Sequence, residues 1–165
     1  MIRVRYNKEL SIYTLRLDNL DFGDGTVITM KFDTGAVNTV IGLRTLFKYL
    51  SKKELDTLLS MFEASDIEKV RFNSASGGEL WGYPCVVHNV EISNAVIENF
   101  CFYVITNTNR EVALLGDDFI SCCNFRHEQD GDIIITDFDD DEVCMRFKSK
   151  SKGLELDEVI KSLKS

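Results

Sequence analysis

The chain has 165 residues, 44% hydrophobic and 28% charged, which is one domain's worth of sequence with enough apolar content for a real core. Its formal charge is −8, from 19 basic and 27 acidic residues. Nucleic acid and anionic membrane surfaces both demand clustered Lys and Arg, so neither partner is expected.

The N-terminus, MIRVRYNKEL, has no apolar h-region, and no segment approaches membrane-spanning length. SIYTLRLD (11–18) alternates apolar and polar residues as a half-buried strand does. DFGDG then makes a turn and TVITMKFD (26–33) alternates again, so the two predict a hairpin running into Asp33. Val40 and Ile41 continue a short apolar segment. A short helix is expected over about 43–50 and a longer one over 52–63. In the longer helix Ser51 and Glu54 make a capping box, and Leu55, Leu58, Leu59 and Phe62 recur at helical spacing.

From Val70 the β pattern returns. SASGG (74–78) marks a turn, and GYPCVVHNVEIS (82–93) and AVIENFCFYVI (95–105) read as strands joined at Ser93-Asn94. VALLG (112–116) follows, then DDFISCCNF (117–125), read as a short buried helix carrying Cys122 and Cys123. DIIITDF (132–138) and EVCMRFK (142–148) are expected to pair as a final hairpin. Leu156, Val159, Ile160 and Leu163 predict a closing helix. The acidic turn DFDDDE (137–142) has alternate aspartates, but Glu142 and Lys148 stand where a calcium loop needs glycine and a bidentate glutamate. Five cysteines, with no CxxC pair, fit free thiols in a reducing cytoplasm, and His88 and His127 stand alone. No metal and no other cofactor is expected. The sum is a single mainly β domain with a helical insert and a C-terminal helix.

Asp33-Thr34-Gly35 is the stretch with chemical interest. A chance triplet of this kind is expected in about 3% of chains this long, and the plain alternative is an ordinary β-turn. The setting, a strand end between two apolar runs, suits a carboxylate buried at the centre of a molecule. Acid–base hydrolysis of a peptide bond needs two carboxylates close enough to share one proton. With one triplet per chain, the second carboxylate would come from a twofold-related copy.

Asp33-Thr34-Gly35-Ala36, followed by Thr39-Val40-Ile41, resembles the active-site loop of the retropepsins, the dimeric retroviral-type aspartic proteases. Ala113-Leu114-Leu115-Gly116-Asp117-Asp118-Phe119-Ile120 resembles the apolar-apolar-Gly segment and short helix of that family, and the hairpin around Ser74 to Gly82 stands where the family keeps its flap. The helical stretch 43–64 is similar to inserts in its bacterial and cellular branch. The resemblance implies a closed β-barrel of the acid protease fold, with a core over about 11–148 and a helical tail over about 153–165. It implies a homodimeric aspartic endopeptidase acting on a peptide or protein. Asp33 would be catalytic, Thr34 would hydrogen-bond across the dimer, Gly35 would lie along the substrate backbone, and Ala36 would complete the loop. Leu114, Leu115 and Gly116 would pass behind that loop. Ser76, Gly77 and Gly78 would form the flap tip, with Trp81 and Tyr83 beside it.

The chain departs from the viral pattern beside the triplet and in its tail, which runs on past Ile133 for longer than a viral terminal strand. Asp117 and Val37 occupy the positions of an Arg–Asp ion pair, so the dimer needs other contacts. Ala36 cannot offer a carboxylate the hydroxyl that a serine would, so a mildly acidic to near-neutral working range is expected. The alternatives are a non-catalytic dimerisation or peptide-binding module on the same fold, and a latent precursor whose termini are trimmed.

Overall fold

The structure, a computed structural model, describes residues 2–18, 27–48, 50–73, 77–92, 95–138 and 153–164. β1 (Ile2–Asn7), β2 (Ile12–Asp18) and β3 (Ile28–Phe32) run antiparallel in succession, and Leu15 of β2 stands opposite Met30 of β3, both buried. β4 (Val40–Gly42) leads into α1 (Leu43–Leu46) and α2 (Lys52–Ala64). Then come β5 (Val70–Asn73), the long pair β6 (Glu79–Ile92) and β7 (Ala95–Ile105), and β8 (Ala113–Leu115). α3 (Asp117–Ile120), β9 (Cys123–His127), β10 (Ile133–Phe138), β11 (Leu154–Glu155) and α4 (Leu156–Lys164) complete the described chain.

The mainly β, closed-barrel architecture expected for the chain is what forms. β6, β7, β4, β8, β3 and β2 pair in that order, and Leu17 of β2 pairs back onto Ile92 of β6 to close the ring. Closure removes the free strand edges that an open sheet would expose. Leu17, Met30, Ile41, Phe100, Phe102 and Phe119 are fully buried. Each such side chain contributes about 2 kcal/mol on leaving water. Exposed ion pairs contribute about 0–1 kcal/mol each, so the apolar core dominates stability. β1 and α4 belong to this core too, through Ile2, Val4, Leu156 and Ile160.

Three pieces are added to the ring. β5 extends the N-terminal end of β6, and β11 lies parallel to its middle at Cys85 and Val86. β1 pairs with β10, and β10 with β9, which ends the strand order. α2 forms as its capping box predicts. Ser51 and Glu54 satisfy each other's amides, while Leu58 and Phe62 go inward and the Phe62 ring lies 5.3 Å from that of Tyr83. α2 also touches α4.

Two readings need correction. The helix expected over 117–125 is only four residues long; Cys122 lies in the turn after it and Cys123 opens β9. Ile133, Ile134 and Ile135 need an antiparallel partner, and β9 supplies it, so pairing overrides the local helical reading. The partner expected for β10, residues 142–148, lies outside the described residues, as do the 21–25 turn and Ser76. IRVRYN, for which no strand was expected, alternates buried and exposed residues over its first four positions and forms β1.

Candidate active site

β8 lies between β3 and β4, parallel to β3 at Lys31–Phe32 and antiparallel to β4 at Val40–Ile41. The 33–39 loop joins the two outer strands and must therefore cross the end of the middle one. Gly116, the residue at that crossing, has no room for a side chain: a Cβ there would stand 2.4 Å from the Asn38 carbonyl oxygen and 3.0 Å from that of Ala36. The passage of Leu114-Leu115-Gly116 behind the Asp33 loop is thus a close backbone contact.

Hydrogen bonds fix the crossing. Asp33 N–H donates to the Leu115 carbonyl at 2.9 Å, and Ala36 N–H to the Asp33 carbonyl at 3.2 Å. The first amides of α3 donate back to the loop, Asp117 to Ala36 at 2.8 Å and Asp118 to Val37 at 3.1 Å. Thr39 is fully buried. Its N–H and hydroxyl both donate to the Asp118 carboxylate, the hydroxyl at 2.6 Å, while its hydroxyl oxygen accepts from Gly116 N–H at 3.1 Å. The sequence contained both residues but gave no sign that they meet.

The Asp33 carboxylate is set by this frame. Gly35 N–H donates to its Oδ1 at 3.0 Å. The Lys31 ammonium lies 3.7 Å from Oδ2, and the Asp33 side chain keeps 27% of its surface exposed. A Cβ on Gly35 would lie 3.3 Å from Oδ1, so glycine allows the loop amide this close approach. Thr34 is exposed, Ala36 half-buried, and Val37 is 70% exposed, a large apolar side chain in water at the rim of the loop.

The β5–β6 hairpin carries the candidate flap residues. Gly77 has φ of +87°, a backbone that favours glycine, and open space around it. Gly78 is exposed. Trp81 stands opposite Arg71, with the Lys69 ammonium 4.6 Å from its ring centre. Its N–H donates to Asn107 Oδ1 at 2.8 Å and its carbonyl accepts from Thr106 N–H at 3.0 Å, tying the hairpin base to the loop after β7. Tyr83 instead packs inward. Below the hairpin, Val40, Val86, Cys101, Tyr103 and Ile105 form a second apolar cluster, joined by Phe72, Leu80, Val112 and Leu114.

Cys85 and Cys123 are poor nucleophiles. Burial raises the Cys85 thiol well above its ordinary range. Burial, then Cys122 and Asp137, push the Cys123 thiol up to about 12. Neither forms a thiolate near neutral pH. Among the described residues no cluster of His, Cys, Asp and Glu is arranged to hold a metal, and no helix is long and apolar enough to cross a membrane.

The structure is similar to that of a retropepsin-like aspartic protease from Rickettsia conorii. The match covers 81% of this chain and 97% of that one, at 19% sequence identity and a TM-score of 0.49. No family model matches the sequence, and no curated protein does.

Proposed function

We propose that the chain is an aspartic endopeptidase that works as a homodimer, each copy supplying one Asp33. The observation that carries this reading is the Asp33 carboxylate itself. Gly35 N–H holds one oxygen from within a loop strapped from behind by β8 and α3, and the side chain stays partly open to solvent. One chain provides one such group, and the chemistry needs two.

In the dimer a water lies between the two carboxylates, which share one proton. The ionised Asp33 takes a proton from the water as its oxygen attacks the peptide carbonyl carbon. The protonated Asp33 gives its proton to the carbonyl oxygen. Collapse of the resulting gem-diol breaks the C–N bond, and the amine leaves with the proton first taken from water. The β5–β6 hairpin would close over an extended peptide.

The partner copy is proposed to join along β9. That strand ends the strand order, four of its five residues are exposed, and Phe125 is 42% exposed while its ring lies 6.1 Å from that of Phe32, the residue before Asp33. The free thiols suit a reducing compartment, and we assign the activity to the cytoplasm. The second reading, a non-catalytic peptide-binding or dimerisation module, draws on the Lys31–Asp33 ion pair, which neutralises the carboxylate in the single chain. Peptide-mixture cleavage by the wild type and by Asp33→Asn separates the two. The enzyme reading expects cleavage that is absent from the variant; cleavage by neither, at concentrations where the wild type is dimeric, supports the module.

A further inference from the structure

β3 pairs with β8 only at Lys31–Phe32. Upstream of that pairing a cleft of about 550 Å³ lies between them, lined among others by Thr14, Thr29, Lys31, Lys48, Glu111 and Leu114. That volume is in the range of pockets that take a small ligand or a side chain. Asp33 does not line it. The cleft reaches the Asp33 carboxylate through Lys31, whose ammonium is 3.7 Å from Oδ2.

The polar groups of this cleft are arranged on one face. Thr14 stands opposite Lys31 in the β2–β3 register, and Thr29 lies two residues earlier on the same outward side of β3. Two hydroxyls and an ammonium so placed can together bind a carboxylate. Lys48 also lines the cleft but is ion-paired with Glu111. Among the described residues Lys31 has Asp33 as its ion-pair partner, and a proton shared between two Asp33 carboxylates would weaken that hold. Lys31 is then the cation of the cleft that a ligand can claim.

We propose that this cleft receives an acidic side chain, Asp or Glu, from a peptide residue flanking the scissile bond, and that Lys31 reads its carboxylate. The inference rests on the peptidase reading above and adds the substrate class to it. The chain's net charge of −8 opposes acidic peptides at long range. Salt screens that field beyond about 8 Å at physiological ionic strength, so the lysine inside the cleft decides the local preference.

The test uses peptide pairs that differ only by Glu or Gln at one position near the scissile bond. At one flanking position kcat/KM is expected to favour Glu by about tenfold. Lys31→Met removes the preference, Lys31→Glu turns it toward Lys, and Lys48→Met keeps it. Asp33-dependent cleavage with no Glu preference at any flanking position overturns the proposal, as does a preference that survives Lys31→Met. A second measurement separates this from failure of the peptidase reading: fluorescence anisotropy of the same labelled peptides with Asp33→Asn, whose Lys31 has lost its partner. Tighter binding of the Glu peptide, abolished by adding Lys31→Met, upholds the cleft even if the wild type cleaves nothing. Equal binding of both peptides, with no discrimination in cleavage, removes it.

Discussion

Thr39 has no exposed surface, yet its amide, hydroxyl and carbonyl all have partners: Asp118, Gly116 and the Tyr103 amide. Thr39→Val keeps the shape but leaves the Asp118 carboxylate and the Gly116 amide each short of one bond. The expected cost is about 1–3 kcal/mol in denaturant unfolding. On the peptidase reading the same variant should lower kcat more than it raises KM, because Thr39 is buried and orders the loop that carries Asp33; Thr39→Ser should restore much of both. Gly116→Ala is expected to cost about 3 kcal/mol, since the new Cβ meets backbone 2.4 Å away that cannot turn aside. At this scale the candidate site was legible in the sequence where its residues lie in one short motif. Asp33-Thr34-Gly35 and Leu114-Leu115-Gly116 stood out by composition and order. The Thr39–Asp118 bond joins residues 79 apart, and no local pattern carries that information. Lys31 carries no sequence signal, because an exposed lysine on an alternating strand is what solvent alone would select.

The C-terminal segment is a strap with a titratable clasp. β11 lies along β6, and Leu156 and Ile160 of α4 enter the core. On the outside, His88 of β6 bonds Glu155 at 2.6 Å and Asn99 at 2.8 Å, and its amide donates to Asp157. The Glu155 carboxylate raises the His88 pKa above its ordinary value, with partial burial opposing and Asn99 and Asp157 adding to it. A folded value above the unfolded one means the clasp's contribution is fully present below about pH 6.5 and is lost as pH rises through the folded value. Hydrogen-exchange protection factors of 154–164 should therefore hold up to about pH 6.5 and fall as pH rises above it, and His88→Gln should flatten that dependence; identical profiles in the two proteins would remove His88 as the cause. α2 and α4 were readable from capping and helical spacing, because both are amphipathic helices with one buried stripe. β9 was not. CNFRH has little apolar content of its own, and its strand state follows from pairing with the Ile133–Ile135 run across a turn. On the dimer reading Phe125→Glu sets two like charges near the twofold axis, and the dissociation constant is expected to rise at least tenfold, as read by analytical ultracentrifugation.

At the scale of the whole molecule the closed ring sets the frame for the Asp33 loop. The closed ring fixes β3, β8 and β4 side by side, the loop crosses them, and the β5–β6 hairpin stands over the second apolar cluster. Architecture of this kind was legible in outline, since alternation predicts strands and a barrel is the way many strands bury one face. Which strands are neighbours was not, because pairings such as Leu17 with Ile92 are set by the packed whole. On the proposed reading each chain contributes half of one catalytic centre. Mixing wild-type protein with Asp33→Asn at equal concentrations, after subunit exchange, and measuring peptide cleavage tests it directly. If each site needs an Asp33 from both copies, only wild-type pairs act, and activity per total protein falls to about one quarter of the pure wild type. A fall to about one half, linear in the wild-type fraction, would mean that each chain works alone and would contradict the account.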